Sequence, residues 1–369
     1  KSSHDTCLKA RFRSAVYGTA VDPYTLSVQT EADSPVSRNP AAICWYRTRL
    51  KPGELKDLHR RSDPKAFVQT VGYLAVLGTT IAASLYSAQR WPWWMTVMLI
   101  FLNGMGFAFL INGVHELGHG TVFKTKALNE FFVRVLSFFG WINFQMFQES
   151  HMRHHRYTLH PPDDLEVVLP VRVLLKSFLT QGFVNPVWFW NTLKTTCRIA
   201  RGKFEGEWEH ALYDDNPEAG YAAIIWARTL LIGHTLIVFI SLYFQWWLAP
   251  VLITLAPFYG QWLFLLCNST QHIGLQDNVN DFRLCCRTFT LNPIVRFMYW
   301  QMNYHIEHHM YAAVPCYNLG KLHRAIKSDL PPCQHGLVAT WKEIAAIQRK
   351  QEADPSYQYI PPIPKPSVV

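Results

Sequence analysis

The sequence predicts an all-α membrane protein, with four transmembrane helices in two hairpins under a cytosolic helical cap that carries a di-metal site. Three observations lead there. Only 17% of the residues are charged and 14% are aromatic, where an average globular chain is about 25% charged, and the apolar residues gather in runs long enough to cross a bilayer. All but two of the 35 Lys and Arg, the exceptions being Arg90 and Arg228, lie outside those runs, in stretches that an even number of crossings leaves on one side. Eight of the 16 histidines stand in three short boxes on that same side.

Residues 1–66 read as a polar, basic cytosolic segment. They contain no apolar stretch of the kind that forms the centre of a secretory signal, so this end of the chain is expected in the cytosol. Turn formers at Asp22-Pro23, Ser34-Pro35 and Asn39-Pro40 mark residues 1–50 as irregular, and residues 51–66 have the spacing of one short amphipathic helix with Leu55 and Leu58 inward and Pro52 in its first turn. Residues 67–114 form the first hairpin. Its arms, 67–88 and 94–114, each supply about the 20 apolar residues that a hydrocarbon core requires, and Trp91, Trp93 and Trp94 belong at the far interface.

Residues 115–220 are expected to form the cytosolic cap with the first two boxes. Within it 127–147 is apolar but interrupted by Asn129, Glu130, Arg134, Asn143 and Gln145, which predicts an interfacial or re-entrant helix pair, and Pro161, Pro162, Pro170, Pro186 and Pro217 read as breakers of the polar stretch that follows. Residues 221–267 give the second hairpin, 221–244 and 247–267, with Trp246 and Trp247 at the turn and with Pro250, Pro257 and Gly260 bending the last helix. Residues 268–369 are cytosolic, hold the third box and end in a Pro-rich tail from Asp354.

The boxes are His115-Glu116-Leu117-Gly118-His119, His151-Met152-Arg153-His154-His155 and His305-Ile306-Glu307-His308-His309. Residues three and four apart are neighbours on a helix. An i, i+4 pair therefore chelates one ion, while the i+3 residue, about 100° round from its i+4 neighbour, aims at a second. Neutral imidazole suits zinc, copper, iron and nickel. Two ions at a membrane surface, above helices that admit an alkyl chain, favour iron and the oxidation of unactivated C–H bonds by dioxygen. The eight cysteines show no C-x-x-C spacing, so neither a zinc ribbon nor a disulfide framework is expected. The basic residues follow the positive-inside pattern, and no nucleic acid partner is predicted.

Together with Asn303 and Tyr304, which precede the third box, these boxes resemble those of the membrane fatty acid desaturase and hydroxylase superfamily, over about Leu50 to His335 and including the four-helix topology. The resemblance implies a non-haem di-iron centre with dioxygen as co-substrate and a fatty acyl or lipid-like substrate. It implies one iron on His115, His119, His151, His155 and His308, and the other on His154, His272, His305 and His309, with Asn268 reaching the second through a water. The boxes alone give five ligands against three, so a further ligand is expected outside them; His272 stands one helical turn past the fourth span, with Asn268 four residues earlier. Electrons are expected from a separate carrier of the cytochrome b5 or ferredoxin type, because the chain contains no His-Pro-Gly-Gly of a fused cytochrome b5 domain. In a eukaryote the implied location is the endoplasmic reticulum membrane. Three residues between the histidines of the first box resemble acyl-lipid and sphingolipid-type enzymes more than acyl-CoA ones. Glu116, Glu149, Asp163, Asp164 and Glu307 are candidate partners for the ring N–H groups of the ligands.

A desaturase is the leading reading and a hydroxylase on the same centre its alternative. An intramembrane zinc protease also fits His115-Glu116-x-x-His119, with Glu116 as general base, but neither apolar arm of the second hairpin supplies an acidic third ligand and six box histidines would be idle. A metal transporter would carry its ligands in mid-span. Of the other histidines, His234 is expected to be a satisfied packing residue within a span, His4, His59, His210, His323 and His335 to lie at the surface, and His160 has no assigned role.

Overall fold

In the computed structural model of the chain the described residues are 41–364 without Arg172 and Leu174. The turns expected at Asp22-Pro23, Ser34-Pro35 and Asn39-Pro40, His4, and the last residues of the Pro-rich tail lie outside them. The helix expected over 51–66 is two pieces, α1 (Pro52–Leu58) and the start of α2 (Asp63–Arg90). The break is held by contacts distant in sequence. Asn318 Nδ2 donates to Leu58 O, Ser62 N donates to Tyr317 Oη at 2.8 Å, and the Asp63 carboxylate accepts from Lys124 N and Thr125 N.

The first hairpin pairs α2 with α3 (Trp93–Ala108), which continues as α4 (Leu110–Gly118). Trp91, Trp93 and Trp94 stand exposed at the turn. Several polar side chains of these helices pair with one another or with backbone: Thr80 Oγ1 donates to Asn103 Oδ1, Ser87 bonds to Thr96, and Asn103 Nδ2 donates to Leu252 O. Over 127–147, where a helix pair is expected, lie one helix, α5 (Lys126–Phe139), and only the first turn of α6 (Phe144–Tyr157), which Asn143 caps.

Next come α7 (Leu175–Gly182), α8 (Pro186–Ala200), α9 (Gly206–Tyr213) and the long α10 (Pro217–Tyr243). Pro186 and Pro217 start helices rather than break them. In both cases a preceding Asn caps the helix through its side-chain oxygen while the proline occupies a position whose N–H has no intrahelical partner. Asn292-Pro293 repeats the device at α14 below.

Among the described residues three helices are long and apolar enough to cross a membrane: Asp63–Arg90, Trp93–Gly118 and Pro217–Tyr243. The fourth expected span is not one bent helix. It consists of α11 (Leu248–Leu252), a 3-10 turn (Ala256–Phe258) and α12 (Trp262–Asn268). Pro250 and Pro257 contribute no N–H to a helical ladder, and Gly260 adopts φ +71°, where a Cβ would sit 2.6 Å from Met105 N and 2.7 Å from Phe101 O. Only glycine fits there. The backbone groups released by the break bond to the turn between α7 and α8: Gly260 N donates to Phe183 O at 2.8 Å and Asn185 N to Phe258 O at 2.9 Å. Part of the expected cytosolic cap therefore packs along the fourth segment.

The remainder comprises α13 (Phe282–Cys285), α14 (Pro293–Met298), α15 (His305–Met310), α16 (Cys316–Ile326) and α17 (Gly336–Ala353), with a small parallel pairing of β1 (Phe289–Thr290) and β2 (Gln334–His335). Residues 41–50 lie over it as a strap. Thr48 Oγ1 and Tyr46 Oη donate to Asp329, and Trp45 stacks on Phe282, whose ring lies 5.4 Å from that of His309.

Candidate metal centre

Three helices bring the boxes together. α4, the end of the apolar stretch Trp93–Gly118, carries His115 and, as its C-cap, His119; α6 carries His151, His154 and His155; α15 carries His305, His308 and His309. The six-residue α15 is fixed on the side away from the rings. Thr288 Oγ1 accepts from Ile306 N and donates to Glu307 Oε2, and Glu307 Oε1 accepts from His323 Nδ1 at 2.5 Å. His323 is thus buried and bonded, not at the surface as its sequence position suggested, and Glu307 fastens α15 to α16 instead of serving a ligand ring.

The nitrogens gather into two groups. Donor atoms of His115, His119, His151, His155 and His308 all lie within 4.8 Å of one another, and so do those of His272, His305, His309 and Cys286. His154 stands with the second group, its ring 5.3 Å from His272 and 5.0 Å from His309. His308 Nε2 approaches His155 Nε2 at 3.1 Å, His305 Nε2 approaches His272 Nε2 at 3.0 Å, and His309 Nε2 approaches His305 Nε2 at 3.1 Å. Lone pairs so close repel unless a shared hydrogen or a cation lies between them. Two imidazoles at right angles on an ion at about 2.1 Å would stand about 3.0 Å apart. The donor set therefore fits two cations. In addition, the buried Nε2 atoms of His115, His119 and His151 have no hydrogen-bond partner.

The opposite ring nitrogens are oriented from behind. His151 Nδ1 donates to Glu166 at 2.7 Å, His154 Nδ1 to Asp164 at 2.8 Å, His272 Nδ1 to Cys285 O at 2.8 Å and His309 Nδ1 to Thr158 Oγ1 at 3.2 Å. Each donation leaves Nε2 as the lone-pair donor. Of the acidic candidates, Asp164 serves a ligand ring, and Glu116 Oε1 lies 3.2 Å from His115 Nδ1 and 3.3 Å from His308 Nδ1. That carboxylate faces the backs of two rings, not the space between their Nε2 atoms where a protease base would work. Asp163 accepts from Arg153 through its backbone oxygen, and Glu149 hydrogen-bonds to no site histidine. Glu166 was not foreseen; nothing in its spacing separates it from an ordinary surface acid.

His272 does join the second group, but from a turn past α12 and not from the helix face it was expected to share with Asn268. Arg287 builds that turn. Its buried guanidinium donates to Thr270 O at 2.6 Å and Ile273 O at 3.1 Å, and pairs with Glu343 at 3.3 Å. Asn268 closes α12, half-buried, and its amide is hydrogen-bonded to none of the histidines. His160 Nδ1 donates to Thr158 O and its ring meets the edge of Trp45. His234 bonds through both ring nitrogens, to Thr254 Oγ1 and Phe138 O, between the rings of Phe138 and Trp141.

Electrostatics keeps most rings neutral. Burial pushes His119 down to about 4, and burial followed by the neighbouring His154 pushes His272 down to about 3. His151, His155, His305, His308 and His309 are also pushed well down, by burial first and then by one another. His154 differs. Burial lowers it, but the Asp164 carboxylate outweighs burial and the net direction is upward. Burial lifts Glu166 to about 7.

A family model described as fatty acid desaturase matches residues 91–341, which include every histidine of both groups. No curated protein matches the chain. Covering more than half the sequence and all three boxes, that match shows that the chain belongs to the membrane fatty acid desaturase and hydroxylase superfamily, whose members are lipid oxidoreductases.

Proposed function

We propose that this protein is a dioxygen-dependent, non-haem di-iron desaturase that introduces a double bond into a fatty acyl or lipid-like chain. The observation that carries this reading is the convergence of imidazole Nε2 atoms into two adjacent groups with their Nδ1 atoms turned outward. His115, His119, His151, His155 and His308 would hold one iron. His154, His272, His305 and His309 would hold the other, with Asn268 acting through a water. Once bound, the pair supplies the redox chemistry by which dioxygen is reduced and the alkyl chain loses two hydrogens.

Removing two hydrogens while reducing dioxygen to two waters takes two further electrons and two protons. A separate cytochrome b5 or ferredoxin-type carrier would deliver the electrons at the cytosolic face of a multi-pass membrane protein, in the endoplasmic reticulum of a eukaryote. Glu166, Asp164 and the Cys285 carbonyl hold the rings so that lone pairs face inward, which removes the entropic cost of orienting them as ions bind. The metal content of purified protein tests the centre, with close to two irons per chain expected; one zinc with peptidase activity would overturn it. Mass spectrometry of lipids from cells expressing the protein tests the reaction. A product lighter by two hydrogens is expected, and one heavier by a single oxygen would make the enzyme a hydroxylase.

A further inference from the structure

We infer that α7, α8 and the turn between them form a re-entrant hairpin inserted into the lipid bilayer, with the acyl chains of the cytosolic leaflet as its partner. The turn sits deep. Its residues 183–185 bond to Phe258 and Gly260, and Val184 forms an antiparallel bridge with Tyr259. Gly260 in turn abuts Phe101 and Met105, at the middle of the span Trp93–Gly118. A turn that reaches the middle of a membrane-spanning helix is within the hydrocarbon, where the backbone must be satisfied by protein. The broken fourth segment satisfies it.

The length and direction of the helices agree. At about 1.5 Å per residue, the 15 residues of α8 rise about 22 Å from the turn, and the 8 of α7 about 12 Å, against a hydrocarbon core of about 30 Å. The upper end of α8 is fixed where Arg228 Nε donates to Ala200 O. On its inner face Thr192, Thr196 and Ile199 are buried. Its outer face carries exposed Val187 and Trp190 and ends in exposed Lys194, with Leu179, Phe183 and Val184 also exposed around the turn. α10, against which α8 packs, likewise exposes Ile232, Leu236 and Phe239.

The charges fit the same picture. No charged side chain lies between Lys176 and Lys194, while Arg198, Arg201 and Lys203 follow at the cytosolic end, where basic side chains reach headgroups. A surface this apolar on a soluble cap would be an aggregation site.

The test uses the unmodified full-length protein in phosphatidylcholine vesicles containing a trace of photoactivatable phosphatidylcholine, with the reactive group either mid-chain or on the headgroup. After illumination and digestion, mass spectrometry reads lipid adducts on peptides. We expect the peptide spanning residues 183–190 to gain the mid-chain adduct at a yield like that of residues 232–239, and about five-fold less of the headgroup adduct. Dominant headgroup labelling would place the hairpin flat at the surface and overturn the inference. So would absence of labelling on 183–190 with α10 labelled, whether because solvent or a second copy covers that face. Labelling of α10 by the mid-chain probe verifies insertion of the protein independently of its catalytic assignment.

Discussion

The two histidine groups are built from different materials. The first takes all five rings from three helices, two of them as i, i+4 pairs, His115 with His119 and His151 with His155. The second takes only His305 and His309 as such a pair; His154 leans in from α6, and His272 hangs from a turn that Arg287 holds by its carbonyls. A helix sets ring geometry through its own hydrogen bonds, whereas a turn does so only while its tertiary props stand. The second group should therefore be the more easily disarmed by changes at a distance.

The largest effects come from the rings themselves. His308→Ala and His272→Ala should each abolish turnover and retain about one of two irons, measured by elemental analysis and product formation; the family-scale cost of a lost ligand exceeds the 10–100-fold that a lost orienting partner causes. A fully loaded, active His272→Ala protein would remove His272 from the ligand set. Arg287→Met comes next. Breaking a buried ion pair costs about 3–5 kcal/mol, and because Glu343 keeps some solvent contact we expect about 2–3 kcal/mol here, together with selective loss of the second iron at a chelator concentration that leaves the first in place. Equal loss from both groups would erase the contrast.

Asp164→Asn and Glu166→Gln then compare one orienting carboxylate in each group. Each should weaken its own iron about 10–100-fold. Asp164→Asn should be the more damaging, because that carboxylate also accepts from Leu159 N and Glu166 N. A competition series against a chelator gives both values.

Acid should separate the groups further. In chelator-stripped protein His119 titrates near 4 and His272 near 3 through burial, while the unfolded chain takes up protons near 6.5. The unfolded state then binds more protons, so stability falls as the pH drops below about 6.5 and levels off only near these lower values. His154 works in the opposite sense. Its raised pKa contributes stability that is fully present below the unfolded value and lost as the pH rises through the folded one. Chemical denaturation at several pH values should show a shallower loss below pH 6.5 for His119→Ala, whereas His154→Ala should abolish the gain in stability that the unsubstituted protein shows as the pH falls toward 6.5. The smallest effect on function is expected at His234, where His234→Ala removes two hydrogen bonds and two stacked rings, costing about 1–3 kcal/mol with iron and turnover retained.

What could be read from the sequence follows the range of the interaction. The box spacings are local, and one helical period suffices to pair His115 with His119. His272 was reachable only by counting ligands against a family pattern, and its support by Arg287 depends on a turn that no local signal announces. Glu166 and the buried His323 likewise take their roles from contacts made across the fold. The fourth span shows the same limit: Pro250, Pro257 and Gly260 announced a bend, but whether a helix bends or breaks depends on who receives its freed backbone groups. Those receivers, residues 183–185, lie some 75 residues earlier in the chain, and no local signal pairs them with Phe258 and Gly260.

Because α15 gives His308 to one group and His305 and His309 to the other, neither is complete until residue 309 has been synthesised, some two hundred residues after His115. At chain growth of about 5–20 residues per second, the stretch from the end of α12 to His309 takes about 2–8 s, so every apolar helix is made before either group has its full set of donors. Assembly of the two donor groups therefore follows synthesis of the apolar helices, and a chain that stops between α14 and α15 should keep those helices but hold no pair of metal ions.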